Sequence, residues 1–139
     1  MLVKFAVALA LMAACVVVHA AGITWSLGHL ERSTVSEGDF WPATWLCIRL
    51  AARMVACHMV EIGFWAVLYV YAGAISDMSA ASYFSAVTYT TTGYGDLVLP
   101  LEWRLVGGVE ALTGILMCGW STAFFFAAVS RLHAARTTR

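Results

Sequence analysis

The stretch Thr90-Thr91-Thr92-Gly93-Tyr94-Gly95-Asp96 decides how this chain is read. Gly93 and Gly95 are free to take positive φ because they carry no Cβ. A glycine–tyrosine–glycine–aspartate run alone is also what an ordinary turn looks like. Its surroundings give it more weight, since it follows a short amphipathic segment and lies between two hydrophobic spans.

Composition sets the frame around that stretch. The chain has 139 residues, 62% hydrophobic and 12% charged, with mean hydropathy +0.82. Soluble domains run nearer 45–50% apolar and about 25% charged, so this is the composition of a membrane protein. The length accommodates about three spans of roughly 20 residues. Formal net charge is zero and no basic stripe is present, which argues against a nucleic-acid partner. No nucleophile–base pattern and no Gly-rich phosphate loop is found, which argues against an enzyme. Cys15, Cys47, Cys57 and Cys118 form no C-x-x-C pair and read as buried free thiols.

Moving outward from the motif, Ile75 to Thr91 is a short approach with Asp77 or Ser76 as candidate N-cap. Its segment Ala80 to Thr90 is too short to cross a bilayer. On the near side, Trp45 to Ala74 is a hydrophobic span longer than a membrane needs, with Arg49 and Arg53 beside Trp41 and Trp45 at its start. Trp25 to about Thr44 is the most polar stretch and reads as a loop outside the membrane, with Ser33 to Glu37 as a weak helical turn. Leu2 to Ile23 is either a signal peptide, with Val18-His19-Ala20 as the cleavage-like site, or a retained transmembrane helix, which its length favours. On the far side, Pro100 breaks any helix between Leu97 and Glu102. Trp103 to about Leu132 is the last span, with Gly107, Gly108, Gly114 and Gly119 in it.

The motif resembles the selectivity filter of potassium channels, T-T-V-G-Y-G-D, and Trp45 to Leu132 is similar to the small bacterial ion-channel-domain family. The resemblance implies an all-α membrane protein with three transmembrane helices, a re-entrant pore helix and a filter loop between the second and third. One filter strand per chain implies a homotetramer whose four loops present rings of backbone carbonyls to K⁺. By that resemblance Thr91, Thr92, Gly93, Tyr94 and Gly95 form the ion-binding strand, with carbonyls from Thr91 to Tyr94 and the Thr91 hydroxyl at the inner end. Alternate residues then need unusual dihedrals. Tyr94 braces the strand from behind, and Asp96 accepts a hydrogen bond at the outer mouth. Thr90, Tyr83, Phe84, Glu61 and Glu110 support the strand, with Tyr83 and Phe84 as an aromatic collar around Tyr94. Thr92 stands where the family usually has Val, so its hydroxyl needs a partner. Gly114 is the best match to a hinge glycine of the inner helix, with close helix packing as the plainer explanation.

The resemblance also orders the chain into 1–44, an N-terminal helix and cytoplasmic loop; 45–132, the pore domain; and 133–139, a short tail. A filter entered from outside puts Arg32, Arg49, Arg53, Arg131, Arg136 and Arg139 on the inner face and Lys4 and Arg104 on the outer one, as the positive-inside rule requires. The protein is then multi-pass in the bacterial inner membrane, N-terminus outside and C-terminus cytoplasmic. Its partners are lipids and copies of itself, with no nucleic acid and no soluble ligand domain. K⁺ is the permeant ion and no cofactor is expected.

His58, Glu61 and Glu110 fall inside the spans, where ionisable groups pair or serve function. Arg53, Cys57 and Glu61 share a helical face, with His58 one turn from Glu61. The structural expectation is that both glutamates accept hydrogen bonds from pore-helix or inner-helix groups; pH gating is the sharper alternative. Haem ligation by His19 and His58 from two helices is a remote third. No span repeats arginine every third residue, so no voltage sensor is visible. The other function class open to this sequence is a non-conducting membrane subunit that retains a degenerate filter.

Overall fold

The computed structural model describes residues 2–32 and 40–137. These residues form helices α1 (Leu2–Arg32), α2 (Phe40–Tyr71), α3 (Met78–Tyr89) and α4 (Arg104–Thr137), with one 3₁₀ turn at Leu101–Trp103 and no strand among them. Three segments, Leu2–Leu30, Phe40–Tyr71 and Leu101–Arg131, are long and apolar enough to cross a membrane. With its 12 residues, α3 extends only about 18 Å, well short of a hydrocarbon core of about 30 Å.

Three boundaries correct the sequence reading. The polar stretch from Trp25 to Thr44 is not one loop: α1 runs on to Arg32 and α2 begins at Phe40. Polar residues are absorbed because their groups find partners inside the helix, Thr24 Oγ1 donating to Ala20 O at 2.8 Å and Thr44 Oγ1 to Phe40 O at 2.8 Å. Pro42 is tolerated because it lies in the first turn of α2, where backbone N–H groups have no intrahelical acceptor anyway. α2 in turn stops at Tyr71, where Gly73 takes φ +69, rather than at Ala74. The helical turn expected at Ser33 to Glu37 lies outside the described residues.

α1 packs against both α2 and α4, and α3 is held between α2 and α4. One core, near the N-terminal ends of α1 and α4, joins Ala8, Cys15, Trp65, Tyr69, Ala81, Tyr89, Val106 and Met117. A second, at the other end, joins Ile23, Leu30, Leu46, Leu50, Met54, Phe124 and Ala128. α1 therefore runs parallel to α4 and antiparallel to α2. The Val18–Ala20 segment, the cleavage-like site, lies in mid-helix with His19 fully buried. A Cβ on Gly22 would fall 2.4 Å from Cys57 Sγ, so α1 and α2 cross closely there. At one end Lys4 Nζ lies 4.2 Å above the Trp103 ring; elsewhere Arg53 lies 4.5 Å above the Trp25 ring. Lys4 and Arg104 thus share an end, while Arg49, Arg53 and Arg131 lie toward the other. The four cysteines are free thiols.

Candidate functional site

The site begins with the short helix that aims it. Asp77 caps α3, its Oδ2 accepting from Ala80 N at 2.8 Å, as the sequence indicates. At its other end α3 closes on itself. Thr90 is the C-cap, and the next two N–H groups reach back, Thr91 N to Thr88 O at 2.9 Å and Thr92 N to Val87 O at 2.9 Å. This is the Schellman pairing, whose residue after the C-cap must be left-handed and is usually glycine. Here that residue is Thr91, at φ +60. A β-branched residue in this region costs about 1–2 kcal/mol. Sequence reasoning finds the positive φ of Gly93 (+55) and Gly95 (+77) but misses that of Thr91. Nothing in the local sequence signals it, since threonine opposes the conformation it holds.

Residues 91, 93 and 95 thus alternate in hand with their neighbours. All of Thr90 to Asp96 is exposed in a single chain, Tyr94 to 72%. The Asp96 end of the loop is tied down: Tyr83 Oη donates to Asp96 Oδ2 at 2.7 Å, and Leu97 N donates to Asp96 Oδ1 at 3.0 Å. The Tyr83 hydrogen bond holds the Asp96 carboxyl below its ordinary pKa and raises that of Tyr83. The Thr92 hydroxyl has its partner in Thr90 Oγ1, 2.9 Å away, and Thr90 Oγ1 also reaches Ala86 O at 2.7 Å. Tyr83 spends its hydroxyl on Asp96, and Phe84 sets its ring edge-on to Tyr69, centroids 5.3 Å apart. A cavity of about 120 Å³ lies between α3 and the loop, lined by Phe84, Val87, Gly93 and Asp96 among others.

Beneath the loop are two buried glutamates, Glu61 and Glu110. Glu110 on α4 accepts from Tyr69 Oη of α2 at 2.7 Å, a donor added to the groups expected, and Ser85 of α3 lies beside it. Tyr69 was the residue missed; its hydroxyl, 41 positions away, gives no sequence signal. Glu61 on α2 is fully buried and accepts from the hydroxyl of Tyr89, the last residue of α3. It also pairs with His19 Nδ1 at 2.9 Å and His58 Nδ1 at 3.4 Å. Both imidazoles then meet one hydroxyl, Ser121 Oγ lying 3.0 Å from His19 Nε2 and 3.0 Å from His58 Nε2. All four helices contribute to this cluster. The histidine rings are 5.0 Å apart at their centroids with Ser121 between their Nε2 atoms, which leaves no slot for a haem macrocycle.

Gly114 marks where α4 meets the foot of the loop. A Cβ there would stand 1.8 Å from Tyr89 O and 2.7 Å from Tyr89 C, so the glycine is required by close approach. The residues named from sequence therefore fall into two groups: Thr90 to Asp96 with Tyr83 on the exposed side of α3, and Glu61, Glu110, Phe84 and Gly114 on the packed side behind it.

In comparison with known proteins, a family model described as an ion channel matches residues 55–131, more than half of the chain. The match takes in the later part of α2, then α3, the loop and α4 as far as Arg131. No curated protein and no solved structure matches.

Proposed function

The chain belongs to this ion-channel family, and on that premise we propose that it is a K⁺-selective channel conducting passively through four copies of the loop 91–95 around a common axis. The observation that carries the proposal is the alternation of positive φ at Thr91, Gly93 and Gly95 in an exposed loop of a multi-pass membrane protein. Alternating backbone hand turns successive carbonyls toward one side. An ion stranded in an apolar medium costs tens of kcal/mol, and rings of carbonyl oxygens replace the hydration it loses. Non-helical backbone at membrane depth is tolerated only where protein covers it or water lines it. A single chain leaves this loop uncovered, and three further copies supply the cover.

In this reading α3 is a re-entrant pore helix, and its C-terminal end presents the negative pole of its dipole to the cation. Thr91 to Tyr94 supply the carbonyls and Thr91 the inner hydroxyl. Asp96 and Tyr83 fix the outer mouth, and Glu61 holds the foot of the loop through Tyr89. Thr92, whose hydroxyl is met within the chain by Thr90, stands in for valine without breaking the strand. The end bearing Lys4 and Arg104 faces out and the end bearing Arg49, Arg53 and Arg131 faces the cytoplasm of a bacterial inner membrane. Purified protein reconstituted in vesicles tests the proposal by K⁺-driven flux. Ba²⁺-blockable K⁺ flux is the expected result. An intact tetramer that passes no ion would make the protein a non-conducting subunit instead, and a monomer would end the reading altogether.

A further inference from the structure

We propose that His19, His58 and Glu61 form a binding site for a divalent transition metal of the Zn²⁺ class, buried between α1 and α2 and reached from the groove between α2 and α4. One ligand atom from each residue lies within 4.8 Å of the others. Around a tetrahedral ion with bonds of about 2.0–2.2 Å, ligand atoms sit roughly 3.4 Å apart. Each imidazole already stands near this distance from the carboxylate, His19 Nδ1 2.9 Å from Oε1 and His58 Nδ1 3.4 Å from Oε2 of Glu61. Imidazole and carboxylate together are the donor set of zinc and its neighbours rather than of Mg²⁺ or Ca²⁺.

Hydrogen counting shows that the cluster lacks one positive charge. Take Glu61 as carboxylate and both histidines as neutral. His19 Nδ1 must carry its hydrogen to meet Glu61 Oε1, which leaves Nε2 to accept the single hydrogen of Ser121. Ser121 Oγ then meets His58 Nε2 only as an acceptor, so the hydrogen of His58 sits on Nε2. His58 Nδ1 is left bare, 3.4 Å from a carboxylate oxygen and 3.2 Å from the Tyr89 hydroxyl. That hydroxyl has one hydrogen, and the carboxylate takes it. A cation on the two Nδ1 atoms and Glu61 removes the conflict. Both Nε2–H groups then donate to the two lone pairs of Ser121 Oγ, each at 3.0 Å. A metal-bound histidine usually has such an acceptor on its second nitrogen, which fixes ring and tautomer. The Trp120 ring, 5.6 Å from that of His19, buttresses it further.

Access is provided on one side only. His19 and Glu61 are fully buried, whereas the His58 side chain is 16% exposed. His58 and Ser121 line an open groove of about 670 Å³ that they share with Met54, Val55, Cys118 and Phe125. An ion entering there meets His58 first and finds a fourth position beside the Tyr89 hydroxyl. Once bound it ties α1 to α2 at the residue that holds the foot of the loop.

The site does not rest on the conduction reading, and its test needs no flux. The full-length protein, purified in detergent with metal removed, is titrated with Zn²⁺ by equilibrium dialysis and with Co²⁺ by visible absorption. One Zn²⁺ per chain is expected, together with the intense absorption of tetrahedral Co²⁺. Glutamine keeps a hydrogen-bonding group but ligates poorly, so His19→Gln and His58→Gln are each expected to lower affinity at least a hundredfold while folding as before. Ser121→Ala, which removes only the shared acceptor, should lower it about 10–100-fold. Folded wild-type protein that binds no Zn²⁺ at excess metal would overturn the proposal and leave a bound proton as the missing charge. Binding unchanged in both glutamine variants would overturn it equally, by placing the metal elsewhere.

Discussion

Replacing Gly114 with alanine is the sharpest mechanical test of how the loop is held. The added Cβ would lie 1.8 Å from Tyr89 O, 2.7 Å from Tyr89 C and 3.0 Å from Tyr89 Cα. An ordinary carbon–oxygen contact needs about 3.5 Å, so α4 and the end of α3 must part by more than about 1.5 Å. The atoms in the way are backbone, and no rotamer change relieves them. Overpacking of a well-filled core costs about 1–3 kcal/mol, occasionally more, and the upper end applies here. Tyr89 also donates to Glu61 and stands just before Thr90, so the displacement reaches the loop directly. Thermal melting of the assembled protein and K⁺ flux from vesicles are the assays. The control is Gly63→Ala in α2, where an added Cβ meets nothing within 4 Å and helix propensity improves by about 1 kcal/mol. We expect Gly114→Ala to melt well below wild type with flux lost, and Gly63→Ala to melt at or above it. If the two variants melt alike, the close approach of α4 to Tyr89 is refuted. Because the clash alone predicts failure, lost opening in Gly114→Ala is no evidence for a hinge at that position.

Other substitutions probe the remaining supports. Thr91→Gly removes a left-handed β-branched residue and should raise stability by about 1–2 kcal/mol, while K⁺ flux falls because the inner hydroxyl is gone; unaltered melting would refute the strain. Thr92→Val deletes a hydroxyl pair that is exposed in the single chain, so melting should shift by no more than about 1 kcal/mol and K⁺ flux should persist. Tyr69→Phe removes the hydroxyl that meets the buried Glu110 carboxyl group and should cost about 1–3 kcal/mol, read by denaturation. The Asp96 carboxyl is held below its ordinary pKa by Tyr83, so its contribution is complete above the ordinary carboxylate range and is lost as pH falls through the lowered value. Tyr83→Phe should therefore shift the Asp96 titration upward, measured by carboxyl-carbon NMR, and an unmoved titration would show that the tether is not made in solution.

What the sequence made legible was local. The N-cap at Asp77 and the positive φ of Gly93 and Gly95 each follow from one residue's own chemistry. The existence of three apolar spans follows from composition over windows of membrane length. The ends of α1 and α2 were misjudged because Thr24, Thr44 and Pro42 look like loop residues, yet each has its polar requirement met inside a helix. Long-range pairings were not legible at all. That Glu61 would be ionisable and buried could be read; that His19 would meet it across 42 positions could not. The bond from Tyr83 to Asp96 was not legible either, since residue type alone does not separate packing against Tyr94 from donating to Asp96.

The family match begins at residue 55 and leaves α1 outside it, yet α1 is not an appendage. It contributes Ala8 and Cys15 to one core and Ile23 and Leu30 to the other, and so spans the full height of the bundle. It also brings the partner that Glu61 needs. A buried carboxyl oxygen left without a hydrogen-bond partner is penalised far more heavily than an exposed one, because no water reaches it. His19 Nδ1, on a helix the family match does not include, meets Glu61 Oε1 at 2.9 Å, while the other oxygen accepts from the Tyr89 hydroxyl. The supports run in series: Tyr89 stands at the foot of the loop, Glu61 accepts from Tyr89, and Glu61 is met in turn by His19 of α1 and His58 of α2. A helix outside the family match is therefore joined to the foot of the loop by a chain of hydrogen bonds as well as by its packing in both cores.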